Sequence, residues 1–184
     1  MRKYRNKILY LYQGMIYLEF EDNGDTYYKS NVGKILTQEQ KENALFFSSL
    51  LECQTYQYLN FWTKTFQKEM SGFSIKLVRQ FPVVLIPESK CFPEYKHKVD
   101  FALIVRKNGQ ENNTVYLIES KGIITKDSML VLRLLEANYQ GISDNRYIMV
   151  FDKFPLKYPR QFPRELIKTT PLGLISTLNK YIKK

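Results

Sequence analysis

The stretch Val99–Thr125 decides how this chain is read. It runs V-D-F-A-L-I-V over residues 99–105, turns through K-N-G-Q-E-N-N over 107–113, and returns as T-V-Y-L-I-E-S-K-G-I-I-T over 114–125. Two apolar strands joined by a polar loop containing Asn108-Gly109 read as a β-hairpin. Side chains two apart on a strand share a face, so Glu119 and Lys121 project together while Ser120 faces away. With the loop midpoint near Gly109–Gln110, Asp100 falls about opposite Glu119 on the neighbouring antiparallel strand. Directly opposed residues have Cβ atoms roughly 4.5–5.5 Å apart. Two carboxylates at that spacing repel, and a divalent cation between them turns the cost into a gain.

Outward from the hairpin, the chain has the bulk of a single domain. Its 184 residues are 44% hydrophobic, which describes a globular chain rather than a disordered one. Lysine and arginine outnumber acids 28 to 18, and a net charge of +10 favours a polyanionic partner such as DNA. Cys53 and Cys91 are too few for a disulfide framework, so reduced thiols and a cytoplasmic location are expected. No run of about 18 apolar residues is present, and no membrane span is expected. The opening M-R-K-Y-R-N-K-I-L-Y-L-Y briefly imitates a leader, but Gln13-Gly14 interrupts the apolar run and a strand is the better reading.

In chain order, residues 8–12 and 15–20 read as strands around Gln13-Gly14, and Asp22-Asn23-Gly24-Asp25 as a hairpin turn before Thr26-Tyr27-Tyr28. Arg2, Lys3, Arg5 and Lys7 precede this tyrosine-rich meander. Cations on phosphate and rings on bases would make it a DNA-contacting arm; a small sheet packing its tyrosines on the main domain is the competing reading. Thr37-Gln38-Glu39-Gln40 is a capping box opening a helix, and Ser49-Leu50-Leu51-Glu52 is a second, at which the helix restarts or kinks. Leu51, Tyr58, Trp62 and Phe66 then form a buried helical stripe up to Met70-Ser71-Gly72.

Residues 75–78 and 83–86 read as two extended segments punctuated by Pro82 and Pro87, with Gln80 between them as a solvated or supporting side chain. Residues 88–98 read as a polar loop carrying His97, the chain's one histidine, expected at the surface beside lysines. A lone histidine excludes His-cluster zinc sites and weakens any Ser-His-Asp hydrolase. Thr125 or Asp127 caps a helix running to about Tyr139, with Met129, Leu130, Leu132, Leu134 and Leu135 toward a sheet and Gly141 as its stop. Residues 146–151 form another core strand, able to run parallel to the Glu119 strand. From Asp152 the tail carries Lys153, Lys157, Arg160, Arg164, Lys168, Lys180, Lys183 and Lys184, and Thr170-Pro171 opens a final helix with Leu174, Ile175, Leu178 and Ile182 as its apolar face. Cations interleaved with Phe154, Tyr158 and Phe162 suit a contact along a DNA backbone.

Asp100, Glu119 and Lys121 form D…E-x-K, which resembles the signature of the PD-(D/E)xK nuclease superfamily, with Val99 where the superfamily's name has proline. The chain further resembles small phage-encoded endodeoxyribonucleases of that superfamily at Phe47, Ser49, Glu52, Gln80, Asp100, Glu119, Lys121, Gly122 and Thr125, over about residues 47–135. The resemblance implies an α/β fold with a restriction-endonuclease-like core, a central mixed sheet flanked by helices. Residues 1–36 then form an N-terminal β-meander, 37–151 the nuclease core, and 152–184 a basic C-terminal extension packing on it. It implies Mg²⁺ or Mn²⁺ on Asp100 and Glu119, with Lys121 catalytic and Gln80 and Thr125 in support. On the residues alone Glu52 is the N3 glutamate of a cap; the resemblance favours it as a third acid of the metal site, catalytic with Asp100, Glu119 and Lys121. Arg2, Lys3, Arg5, Lys7, Arg133, Lys157, Arg160 and Arg164 are the expected DNA contacts; Leu130 stands where relatives often carry a helix lysine. Branched, recombining or replicating DNA is the implied substrate. The alternative is a nuclease-fold DNA-binding subunit of a transposition or restriction assembly, non-catalytic or active only with a partner; a homodimer is also compatible.

Overall fold

The computed structural model describes residues 8–139, 146–154 and 166–182. The chain divides into two compact units, Met1–Gln57 and Tyr58–Lys184. In the first, β1 (Leu9–Tyr12), β2 (Met15–Asp22) and β3 (Asp25–Ser30) form the expected antiparallel meander. Asn23 and Gly24 both adopt positive φ, at 51° and 88°, as the two-residue hairpin between paired Asp22 and Asp25 requires. A short helix, α1 (Gln38–Glu42), opens on Thr37 with both halves of the capping box formed.

The expected helix does not continue from there. Leu45–Phe47 is a strand, β4, paired antiparallel to β1 with Phe47 opposite Leu9, giving the sheet order β3-β2-β1-β4. The second capping box marks a new helix, α2 (Leu50–Glu69). Leu9, Phe47 and Cys53 are almost fully buried. Tyr10 packs on both Tyr28 and Phe46, with ring centroids 4.8 and 5.8 Å away, and the Lys41 ammonium lies 4.7 Å from the Tyr28 ring centroid.

The second unit holds a five-stranded mixed sheet in the order β5-β6-β7-β8-β9: β5 (Phe73–Ile86), β6 (Tyr95–Lys107), β7 (Thr114–Ser120), β8 (Tyr147–Val150) and β9 (Ile167–Thr169). β5, β6 and β7 are antiparallel; β8 runs parallel to β7, as expected, and β9 parallel to β8. Two expectations are corrected here. Residues 75–86 lie within one 14-residue strand, because β5 is an edge and Pro82 can sit there without costing a ladder bond on both sides. Residues 95–98 belong to β6 rather than to a loop, which places His97 in the sheet opposite Val83.

Helices cover both faces of this sheet. On one, α3 (Lys126–Tyr139) brings Met129, Leu132 and Leu135 onto Ala102, Leu117, Tyr147, Met149 and Phe151. Leu130, expected on that face, is 57% exposed; the helical period that buries Met129 and Leu132 turns it outward. On the other face, Phe66 of α2 meets Phe73, and the Tyr116 hydroxyl donates to the Tyr181 carbonyl of α4 (Pro171–Ile182). Leu174, Leu178 and Ile182 bury the apolar stripe of α4 as its spacing predicts. The tail therefore contributes a strand and a core helix to the domain. Gly141 lies outside the described residues.

Candidate active site

The site forms where one ladder of β7 ends and the other runs on. The β6–β7 pairing stops at Phe101 opposite Ile118, and β7 goes on to pair with β8, Glu119 opposite Met149. One step beyond the last β6–β7 pair, the register sets Asp100 against Glu119, as the loop midpoint predicts. Here side chains replace the ladder: the Asp100 N–H donates to Glu119 Oε2 at 3.3 Å, and the Ser120 N–H donates to Asp100 Oδ2 at 2.7 Å. Each carboxylate thus accepts an N–H of the opposite strand, which offsets part of their repulsion. Glu119 is only 2% exposed, and Asp100 is half-buried.

Two nitrogen groups approach Glu119 Oε1. Lys121 Nζ lies 2.6 Å away, and His97 Nε2 lies 3.6 Å away. Burial pushes the Glu119 carboxyl up in pKa, but His97 and Lys121 outweigh it and hold the group below its ordinary value. Lys121 is the stronger partner on distance, since 3.6 Å is past hydrogen-bond length. Burial drives the Tyr147 hydroxyl well above the usual tyrosine range, and the charges of Glu119 and Asp100 push it the same way.

His97 reaches this site because β5 changes face at Gln80. That residue adopts φ +50° in the interval between Arg79, opposite Phe101, and Phe81, opposite Val99, which places it against Asp100. Before it, Val78 packs into the core under α3 while Phe73 points to α2; after it, Phe81, Val83 and Leu85 enter the α3-side core. On β6 the same switch falls between Val99 and Ala102, both in that core. An opposed pair shares a face, so His97 lies on the side of its partner Val83, the face that carries Asp100 and Glu119. The expectation that His97 is a surface residue is corrected: its side chain is 22% exposed and directed at Glu119. Strict alternation from Asp100 sends His97 to the opposite face, and only the positive φ at Gln80 reverses that.

The remaining candidates are distributed as follows. Gln80 is exposed beside Asp100. Thr125 caps α3: its Oγ1 accepts the Ser128 N–H at 3.1 Å, which settles the choice between it and Asp127. Arg133 lies on the exposed side of α3. A Cβ on Gly122 would meet nothing within 4 Å, so no steric demand explains that glycine. In the first unit, Glu52 is 3% exposed and its Oε2 accepts the Ser48 N–H and the Ser48 hydroxyl, at 3.1 and 2.7 Å, while its own N–H donates to Ser49 Oγ. The carboxylate thus performs the reciprocal half of a capping box one residue early. Arg2, Lys3, Arg5, Lys7, Lys157, Arg160 and Arg164 lie outside the described residues.

Among the described residues, no three His, Cys, Asp or Glu side chains are grouped to hold a metal ion. The donors that do stand together, Asp100 and Glu119, are hard oxygen ligands. They suit Mg²⁺ or Mn²⁺, which is commonly bound by one or two carboxylates with waters and substrate phosphate completing the shell. No described helix is long and apolar enough to cross a membrane. No protein-family model matches this chain, and no curated protein matches it.

Proposed function

We propose that this chain is a metal-dependent endodeoxyribonuclease of the PD-(D/E)xK type with a restriction-endonuclease-like core, hydrolysing phosphodiester bonds in DNA. One observation carries the reading: Asp100 and Glu119 are opposed at the open end of a ladder, with the Lys121 ammonium on the same carboxylate. A structural ion pair explains Lys121 beside Glu119, but it does not explain a second acid set against them between apolar strands.

Asp100 and Glu119 would hold the Mg²⁺ or Mn²⁺. When bound, the ion supplies Lewis acidity toward a phosphoryl oxygen and lowers the pKa of a bound water. The chain's own residues do the rest. The Ser120 N–H holds Asp100 Oδ2, and the Asp100 N–H holds Glu119 Oε2. Lys121 offsets the negative charge that develops on the phosphoryl oxygens, a contribution that a partly enclosed site strengthens. The Glu52 carboxylate anchors the start of α2 through Ser48. The +10 net charge draws the polyanionic substrate, with branched, recombining or replicating DNA as the proposed class.

The test is cleavage of linear, nicked and four-way-junction DNA across a Mg²⁺ and Mn²⁺ titration. The expected result is metal-dependent cutting that Asp100→Asn and Glu119→Gln each abolish while DNA binding persists. Undiminished cutting by either variant rejects the site. Cutting that appears only after a partner protein is added selects the assembly-subunit alternative.

A further inference from the structure

The chain has a single histidine, and it stands where only a local reversal of strand facing could bring it. His97 Nε2 is buried, makes no hydrogen bond among the described residues, and lies 3.6 Å from Glu119 Oε1. Burying an imidazole nitrogen without a hydrogen bond is unfavourable, so something must hold it in this place. Its anchorage is the pairing with Val83, whose side chain is 3% exposed in the core under α3. Around Glu119, Lys121 approaches Oε1 at 2.6 Å, His97 approaches the same oxygen, and the Asp100 N–H holds Oε2 at 3.3 Å. Lys121 is a flexible chain with a point charge and cannot alone fix the rotation of a carboxylate. A ring held by a core strand, with its nitrogen 3.6 Å from the same oxygen, restricts that rotation.

We propose that His97 is a positioning residue of this site: standing with Lys121 at Oε1, it fixes the Glu119 carboxylate with Oε2 turned toward Asp100. Holding Oε2 on the Asp100 N–H keeps the two acids in register across the strands, the arrangement a shared cation would need. His97 does not itself hold the ion and does not touch the scissile bond. Groups that orient metal-binding carboxylates and imidazoles cost about 10–100-fold in metal affinity when removed. The inference rests on the nuclease reading for its purpose, but not for the contact itself.

Two arms of one experiment separate these. Because there is one histidine, the ¹⁵N-labelled full chain gives one set of imidazole signals by NMR. Glu119→Gln is expected to shift the Nε2 resonance; an unmoved resonance overturns the contact in solution. In the second arm, Mn²⁺ binding is measured by calorimetry on the wild-type chain, His97→Phe and His97→Gln. The phenyl ring keeps the bulk and loses the nitrogen, and is expected to weaken Mn²⁺ about 10–100-fold. The glutamine amide restores a nitrogen that can face Oε1 and is expected to recover part of that loss. Equal affinity in the phenylalanine variant overturns the positioning role. Wild-type protein that takes up no Mn²⁺ sinks the nuclease reading and not the contact, which the NMR arm decides; the same arm decides it if His97→Phe does not fold.

Discussion

Replacing Lys121 by methionine tests the electrostatics of the site without reference to its activity. The variant keeps the stem and removes the ammonium 2.6 Å from a carboxylate that is 3% exposed. At an effective dielectric of about 20, two unit charges at that separation attract by ~6 kcal/mol. Much of this is cancelled by the cost of desolvating Glu119, and the 27% exposure of Lys121 screens more. Deleting one partner of a fully buried pair costs about 3–5 kcal/mol, and an exposed pair is worth less than about 1. With His97 and the Asp100 N–H still in place, the expected loss at neutral pH is about 2 kcal/mol. The pH dependence has a definite sign. Glu119 is held below its ordinary pKa, so its contribution is present above about pH 4.3 and is lost as pH falls through the lower folded value. In the variant burial is less opposed, and the carboxyl takes up its proton at higher pH. The two proteins should therefore converge in stability as pH falls through the lowered wild-type value. Trp62 is the chain's one tryptophan, is 4% exposed, and donates its indole N–H to Asn179 Oδ1 in the second unit. Its fluorescence in urea reports on that unit, where a slope of about 2 kcal/mol/M turns the loss into a midpoint lowered by ~1 M. An unchanged midpoint at neutral pH, or a gap that persists undiminished in acid, refutes this account of Glu119.

Gln80→Val forces a β-branched side chain into φ +50° and should cost about 1–3 kcal/mol by Trp62 fluorescence in urea, while Gln80→Gly should match or exceed wild-type stability. Tyr147→Phe removes a hydroxyl whose pKa is raised on folding, so wild-type stability should fall more steeply than the variant's above about pH 10, where the unfolded chain gives up that proton first; parallel alkaline melting curves would contradict it. Changing Lys157, Arg160 and Arg164 together to serine should flatten the plot of log affinity against log salt by up to about 3, at ~0.9 for each phosphate no longer neutralised, and an unchanged slope removes them from the DNA interface. Glu52→Gln retains an oxygen to accept from Ser48 but loses the charge, so it should cost about 1 kcal/mol and leave cleavage near normal. Loss of cleavage at unchanged stability would move Glu52 into the chemistry.

What could be read from the chain and what could not divide along the range of the forces involved. The opposition of Asp100 and Glu119 follows from a hairpin whose loop centre is visible and whose strands alternate strictly up to Phe101 and Ile118. The α1 capping box and the apolar stripe of α4 are likewise set by residues three or four apart. The strand at Leu45–Phe47 is not of this kind. Flanked by two capping boxes, it reads locally as helix, and only pairing with Leu9–Leu11, more than thirty residues earlier, makes it β. The single strand Phe73–Ile86 could not be foreseen either, because a proline in mid-strand is tolerable only at an edge, and edge position is a property of the whole sheet.

His97 is the instructive failure. Counting by twos from Asp100 assigns it to the far face, and the count is valid until one residue takes a left-handed conformation. Gln80 does so opposite Asp100, although glutamine has no special preference for that region. The strain must therefore be held by the packing on either side of it: Val78 before, Phe81 and Val83 after, all drawn into the same core under α3. The reversal lets that core take apolar side chains from both sides of the kink, and the polar consequence is that His97 and Glu119 come to share a face. The kink and the histidine are thus one feature. Gln80→Gly, which holds φ +50° without strain, should therefore leave the single histidine resonance in place, and a displaced resonance would show that the kink and the histidine are separable.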